Sequence, residues 1–169
     1  MLEVTPTRAA IVRCFASPEA LDALPPRADA FACRVAEDEL LLVTAPAAGA
    51  ETLAEATADL AEADPDGVVV DHSSAFAVWT LAGPLREAWA RLSENPLPEP
   101  GPAGFAFVQG ALAHVSGKAI VLPGVVHLFC LSTLRHFLRE RIHAACADLE
   151  PQETEPRELA CELESEAVT

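Results

Sequence analysis

Asp71, His72, Ser73 and Ser74 are consecutive, so a carboxylate, an imidazole and two hydroxyls share one short stretch of chain. A strand-end Asp-His pair beside hydroxyls is a candidate general base. The competing reading is structural: Asp71 and the two serines tie down the turn after a strand through side-chain to backbone hydrogen bonds. No G-x-S-x-G elbow occurs, so a serine hydrolase has no support. A second constellation is H-x3-E-x2-H, His136, Glu140 and His143, which at helical pitch fall within about 60° of one another. This is not HExxH, and one helix supplying all three ligands to a metal is strained. Arg135, Arg139 and Arg141 further discourage a cation there. The face reads as solvated or as a partner contact, and no metal is expected. His114 and His127 lie singly in candidate strands. Lys118 follows Gly117 without a glycine cradle, and neither G-x-G-x-x-G nor G-x-x-x-x-G-K-[ST] is present. We therefore expect no cofactor to be bound by this chain.

The elements that must position these residues follow from local patterning. Ser17-Pro18-Glu19 is a helix start, a hydroxyl cap followed by Pro at the first turn, and Pro25-Pro26 ends that turn. Strands are expected at 31–35 and 39–44 around Glu37-Asp38. The run ELLLVT suggests burial on both faces. A helix is expected at 50–63, with Leu53, Ala56, Leu60 and Ala63 on one stripe. Asp64-Pro65-Asp66-Gly67 is a turn, 68–71 a short buried strand, and 76–81 a strand packed on both faces. Gly83-Pro84 opens a helix whose Leu85, Ala88, Trp89 and Leu92 recur at amphipathic spacing. After the proline-rich loop 95–104, strands are expected at 105–112, 114–122 and 125–131, the last two joined by a Pro123-Gly124 turn. Ser132 opens a final helix to about Leu149. The order β-β-α-β-β-α then β-β-β-α lacks a regular βαβα alternation. It points to an α+β fold, a mixed or antiparallel sheet with helices on one side.

Composition bounds the partners. With 169 residues and 51% hydrophobic content the chain is long and apolar enough for a core. Eleven basic against 26 acidic residues give a net charge of −15, which argues against nucleic acid and against an anionic membrane face. No apolar stretch reaches the ~20 residues of a spanning helix, and the N-terminus lacks a signal-peptide pattern, so a cytoplasmic location is expected. The five cysteines are scattered without CxxC and read as free thiols.

Three blocks carry a resemblance. They are DELLLVT (residues 38–44), then VVVDHSSAFAVWTLAGP (residues 68–84) leading into a helix, then FVQGALAHVSGKAIVLPGVVHLFCLSTLRHFLRERI (residues 107–142). Their order and spacing resemble the gamma subunit of heterotetrameric sarcosine oxidases. The matching positions are Asp38, Glu39, Leu41 and Leu42, then Val70, Asp71, Ser73, Leu81, Gly83 and Pro84. The resemblance implies the fold of the folate-binding aminomethyltransferases of glycine cleavage. It also implies a non-catalytic subunit whose alpha-, beta- and delta-like partners hold FAD, FMN, NAD and tetrahydrofolate.

The expectations are an irregular segment at 1–30, one α+β domain at 31–149 and an acidic, mobile tail at 150–169. Leu97, Phe105 and Phe107 are apolar residues around the proline-rich loop that need covering. With His136, Glu140 and His143 they are the candidates for contact with other subunits or with another copy. The alternatives are a stand-alone small-molecule or folate-binding protein or enzyme using Asp71 and His72, or an accessory protein of another oxidoreductase or biosynthetic pathway.

Overall fold

The computed structural model describes residues 1–161. The chain divides into two compact units, each assembled from separate segments. One unit takes 1–7 and 75–157; the other takes 8–74 and, of the described residues, 158–161.

The first unit is built on a seven-stranded sheet. Its strands are β1 (Glu3–Arg8), β6 (Phe76–Ala82), β7 (Ala106–Leu112), β8 (Val115–Leu122), β9 (Val125–Leu131), β10 (Gln152–Glu153) and β11 (Arg157–Glu158). The order is β10-β1-β6-β9-β8-β7, with β11 also on β1. The β1–β10 pair is parallel; the pairs from β1 through β6, β9 and β8 to β7 are antiparallel. Two helices, α3 (Leu85–Leu92) and α4 (Arg135–Ala145), cover one face. Strand residues alternate, so Ala77, Trp79 and Leu81 of β6 and Val126, Leu128 and Cys130 of β9 meet Trp89, Leu92, Leu138 and Ile142 from the helices. Leu134, Leu138, Ile142, Ala145 and Leu149 form the packed face of α4 and its flanks. Thr5, Thr7, Thr80 and His127 are also buried.

The second unit has a four-stranded antiparallel sheet in the order β3-β4-β2-β5. Its strands are β2 (Ala10–Phe15), β3 (Ala30–Ala36), β4 (Glu39–Thr44) and β5 (Val68–Asp71). Here α1 (Pro18–Asp22) and α2 (Gly49–Ala63) pack through Ala20, Leu21, Ala56 and Leu60 onto Val12, Cys14, Leu40 and Leu42. The run ELLLVT is buried on both faces, as its lack of alternation requires. In each unit the helices take one face of a sheet, which is the α+β class read from the element order.

The structure corrects the sequence reading at both ends. Residues 1–30, read as irregular, supply β1, β2 and α1, with Leu2, Val4, Ile11, Val12 and Cys14 buried. Pro6 lies within β1. It shares the parity of Leu2 and Val4, whose carbonyls accept from Gln152 and Thr154, so its missing N–H faces the short-strand side and not the ladder with β6. The acidic end, read as mobile from 150, is structured through its described part. Gln152 and Glu153 pair with Glu3 and Val4, and Leu159 is buried. Its charges are met locally, Glu153 by Arg139 and Glu158 by Arg8. Residues 162–169 lie outside the described residues. The strand 68–71, read as buried, exposes Val68 and Val70 because it is the end strand of its sheet.

Candidate functional site

Asp71 closes β5, and the three residues after it fold back on it. Its carboxylate Oδ1 accepts from the Ser73 backbone N–H at 2.9 Å and from the Ser73 hydroxyl at 2.6 Å. The same hydroxyl oxygen accepts from the Ile11 N–H at 2.9 Å, and the His72 N–H donates to the Ile11 carbonyl at 2.8 Å. The two hydrogen bonds from Ser73, with the nearby His72 contributing least, hold the Asp71 carboxyl below the usual carboxylate range. A base with a lowered affinity for protons is a poorer base at neutral pH. The group is committed to a turn: an acidic residue locks the strand end, and Ser73 links that turn to β2.

His72 turns toward β2, where its Nδ1 lies 3.4 Å from Arg13 Nη1. Arg13 donates through Nε to Glu39 at 2.8 Å and stacks 4.5 Å above the Phe15 ring. Nδ1 of His72 thus lies beside an arginine, while the same residue also acts electrostatically on the Asp71 carboxyl. The hydrogen bonds of Asp71 go to Ser73, and Nδ1 of His72 approaches Arg13.

The α4 constellation stays spread along the helix. His136 and Glu140 are exposed and His143 is half-buried. Among the described residues no group of three His, Cys, Asp or Glu side chains stands close enough to hold a metal. The exposed apolar residues nearby are Leu131 and Phe137, at 53% and 48%. Both fall inside blocks that sequence reading treated only as strand and helix, so it missed them.

The proline-rich loop differs from expectation in one respect. Leu97 packs against the core of its own unit, so much of its surface is already covered. Phe105 and Phe107 are half-buried, and the Phe105 carbonyl accepts from Gly101 at 3.0 Å to close the loop.

The buried polar set of the first unit is a chain. Thr7 Oγ1 lies 2.6 Å from Thr80 Oγ1, which lies 2.8 Å from Nδ1 of His127. Burial, with a smaller contribution from the positive Arg157, pushes the His127 pKa down to about 4. The imidazole is therefore neutral at physiological pH. All five cysteines are free thiols; burial pushes Cys14, Cys130 and Cys161 up to about 11 and Cys33 higher still. Such thiols are poor nucleophiles. Among the described residues no helix is long and apolar enough to cross a membrane.

The fold so defined is α+β, two antiparallel-rich sheets each carrying helices on one face. Solved structures share it. One is a heterotetrameric sarcosine oxidase from Corynebacterium sp. U-96 in complex with pyrrole 2-carboxylate. The match has a TM-score of 0.67 at 16% identity and covers 90% of this chain and 87% of that one. Another is aminomethyltransferase T of the glycine cleavage system from Bartonella henselae, with a TM-score of 0.59 at 13% identity over 90% of this chain. This chain spans 47% of the length of that aminomethyltransferase. These likenesses show the fold that the sequence resemblance implied. No protein-family model matches the sequence, and no curated protein matches it.

Proposed function

We propose that the chain is a non-catalytic accessory subunit of a multi-subunit, flavin-dependent oxidoreductase of the sarcosine-oxidase type. The observation that carries this reading is the reciprocal fit to a chain of a heterotetrameric enzyme, nine-tenths of one chain against nearly as much of the other. A chain that matches most of one polypeptide of an assembly has the size and fold of a part that works among other polypeptides. The state of Asp71 supports the same reading, because its carboxylate is engaged by Ser73. In this reading alpha-, beta- and delta-like chains hold FAD, FMN, NAD and tetrahydrofolate, and this chain shapes and stabilises the complex.

The test is co-expression with alpha-, beta- and delta-type chains of a sarcosine-oxidase-like enzyme. A complex that purifies with this chain in fixed ratio, with flavin absorbance following the other chains, supports the proposal. Purified alone, the chain should show no stoichiometric flavin band. Turnover of a small molecule by the isolated chain, lost in Asp71→Ala, would overturn the proposal and favour the stand-alone enzyme.

A further inference from the structure

The end strand β5 is an open pairing edge. No described strand lies on its outer side. The His72 N–H donates to Ile11 on β2, and Val70 and Val68 share its parity, so their backbone groups face β2. Val69 and Asp71 therefore turn their N–H and C=O groups to the open side. Sheet edges are usually protected by proline, lysine or a bulge. β5 has no proline or lysine, its register with β2 is unbroken, and Asp71 is its one charge.

The side chains of residues 67–70 along this edge are uncharged. Val69 packs toward the helices, while Val68 and Val70 point the other way, 51% and 37% exposed. Across the ladder they face Phe15 and Arg13. Arg13 is held over Phe15 and neutralised by Glu39. Among the described residues, an acidic partner finds Arg13 already paired with Glu39, and a basic one finds Asp71, already bonded to Ser73, and Asp66 in the turn before the strand.

We propose that β5 pairs with β5 of a second copy in antiparallel register centred on Val69, giving a two-fold dimer. In this register the Val69 residues exchange both of their outward hydrogen bonds. Val68 of each copy lies directly opposite Val70 of the other, so four exposed valines cover one another. Asp71 falls opposite Gly67 and not opposite another carboxylate. The net charge of −15 opposes association at long range, but screening confines that repulsion to about 8 Å at physiological salt, and residues 67–70 carry no charge. A four-residue strand pair is small against the ~1,200 Å² of a standard interface, so the dimer is weak and concentration-dependent. The pairing does not depend on the chain being an oxidoreductase subunit.

The experiment is sedimentation of the purified full chain between about 1 μM and about 1 mM, the span of weak dissociation constants. The mass should rise from one chain toward two. The double variant Val68→Lys with Val70→Lys should shift that rise at least about tenfold to higher concentration, with an unchanged melting temperature because both residues are exposed. Mixing Val68→Cys chains with Val70→Cys chains under mild oxidation should give a 68–70 cross-link in the peptide map. A single-chain mass throughout, or a dimer that the double lysine variant leaves intact, overturns the proposal. A cross-link pattern that excludes 68–70 overturns the register.

Discussion

Nδ1 of His127 lies 2.8 Å from the Thr80 hydroxyl, inside the seven-stranded sheet of the first unit, with only 6% of the residue exposed. That imidazole is held neutral by burial first and by Arg157 second, with a pKa of about 4 against 6.5 when free. Below pH 6.5 the unfolded chain takes up a proton that the folded chain refuses until about pH 4. The contribution is complete above the free value and is lost as pH falls toward the folded one. Denaturant titrations should therefore show a loss of about 2 kcal/mol between about pH 7.5 and about pH 5. His127→Asn, which does not titrate, should flatten that slope. An identical slope in the variant would place the titrating group elsewhere.

Trp89 fixes α3 to its sheet. It is 3% exposed, and its indole N–H donates to the Asn95 carbonyl at 2.8 Å, so one side chain both fills the core and anchors the loop that follows. Trp89→Ala should cost about 3–5 kcal/mol. Trp89→Phe keeps most of the packing and removes the hydrogen bond, and should cost about 1 kcal/mol beyond the size change. Equal losses in both variants, read by chemical denaturation, would show that the bond and not the packing dominates.

The helix carrying Trp89 was legible because its pattern is local: Leu85, Ala88, Trp89 and Leu92 recur at 3.6-residue spacing after Gly83-Pro84. The strands β7 to β9 were legible for the same reason, with alternation between turns. What stayed hidden depends on distant chain. β1 looks irregular until Thr5 is found opposite Thr80 and Gln152 opposite Glu3. At the candidate site, the Asp71–Ser73 contact could be read from two residues' separation, but the link from Ser73 to Ile11 spans 62 positions and carries no sequence signal. The exposure of Val68 and Val70 follows from strand order, and VVV reads the same in a central strand as at an edge.

The β7–β8 hairpin departs from the usual turn chemistry. Its two turn residues, Ala113 and His114, have φ of 52° and 64°, the geometry that Asn-Gly satisfies without strain. Ala113 is buried, and its N–H donates to the Leu92 carbonyl at 2.6 Å, so it is fixed by packing. His114 is exposed. His114→Gly should therefore raise stability by about 1 kcal/mol, seen as a higher midpoint in denaturant. A lower midpoint would mean that the imidazole makes a favourable contact in the native state.

Removal of residues 151–169 tests the acidic end. By charge and composition it reads as dispensable, since like charges repel and large apolar groups are few. Its described part behaves otherwise. Gln152 and Thr154 donate to the carbonyls of Leu2 and Val4 at 2.8 and 3.1 Å, and the Thr154 hydroxyl meets that of Thr5 at 2.5 Å. In the second unit Leu159 is 2% exposed, and its N–H donates to the Arg8 carbonyl at 2.8 Å. Truncation leaves one side of β1 unpaired and removes a buried leucine. The deletion should cost several kcal/mol, and Leu159→Ala alone about 2–5 kcal/mol. Exposed ion pairs such as Arg8–Glu158 contribute little, so Glu158→Gln should change stability by less than about 1 kcal/mol. Thermal melts of the three variants separate the causes. A large loss in Glu158→Gln with none in Leu159→Ala would show that charge and not burial fastens the segment, and an unchanged melt in the deletion would return it to the dispensable tail that its composition suggests.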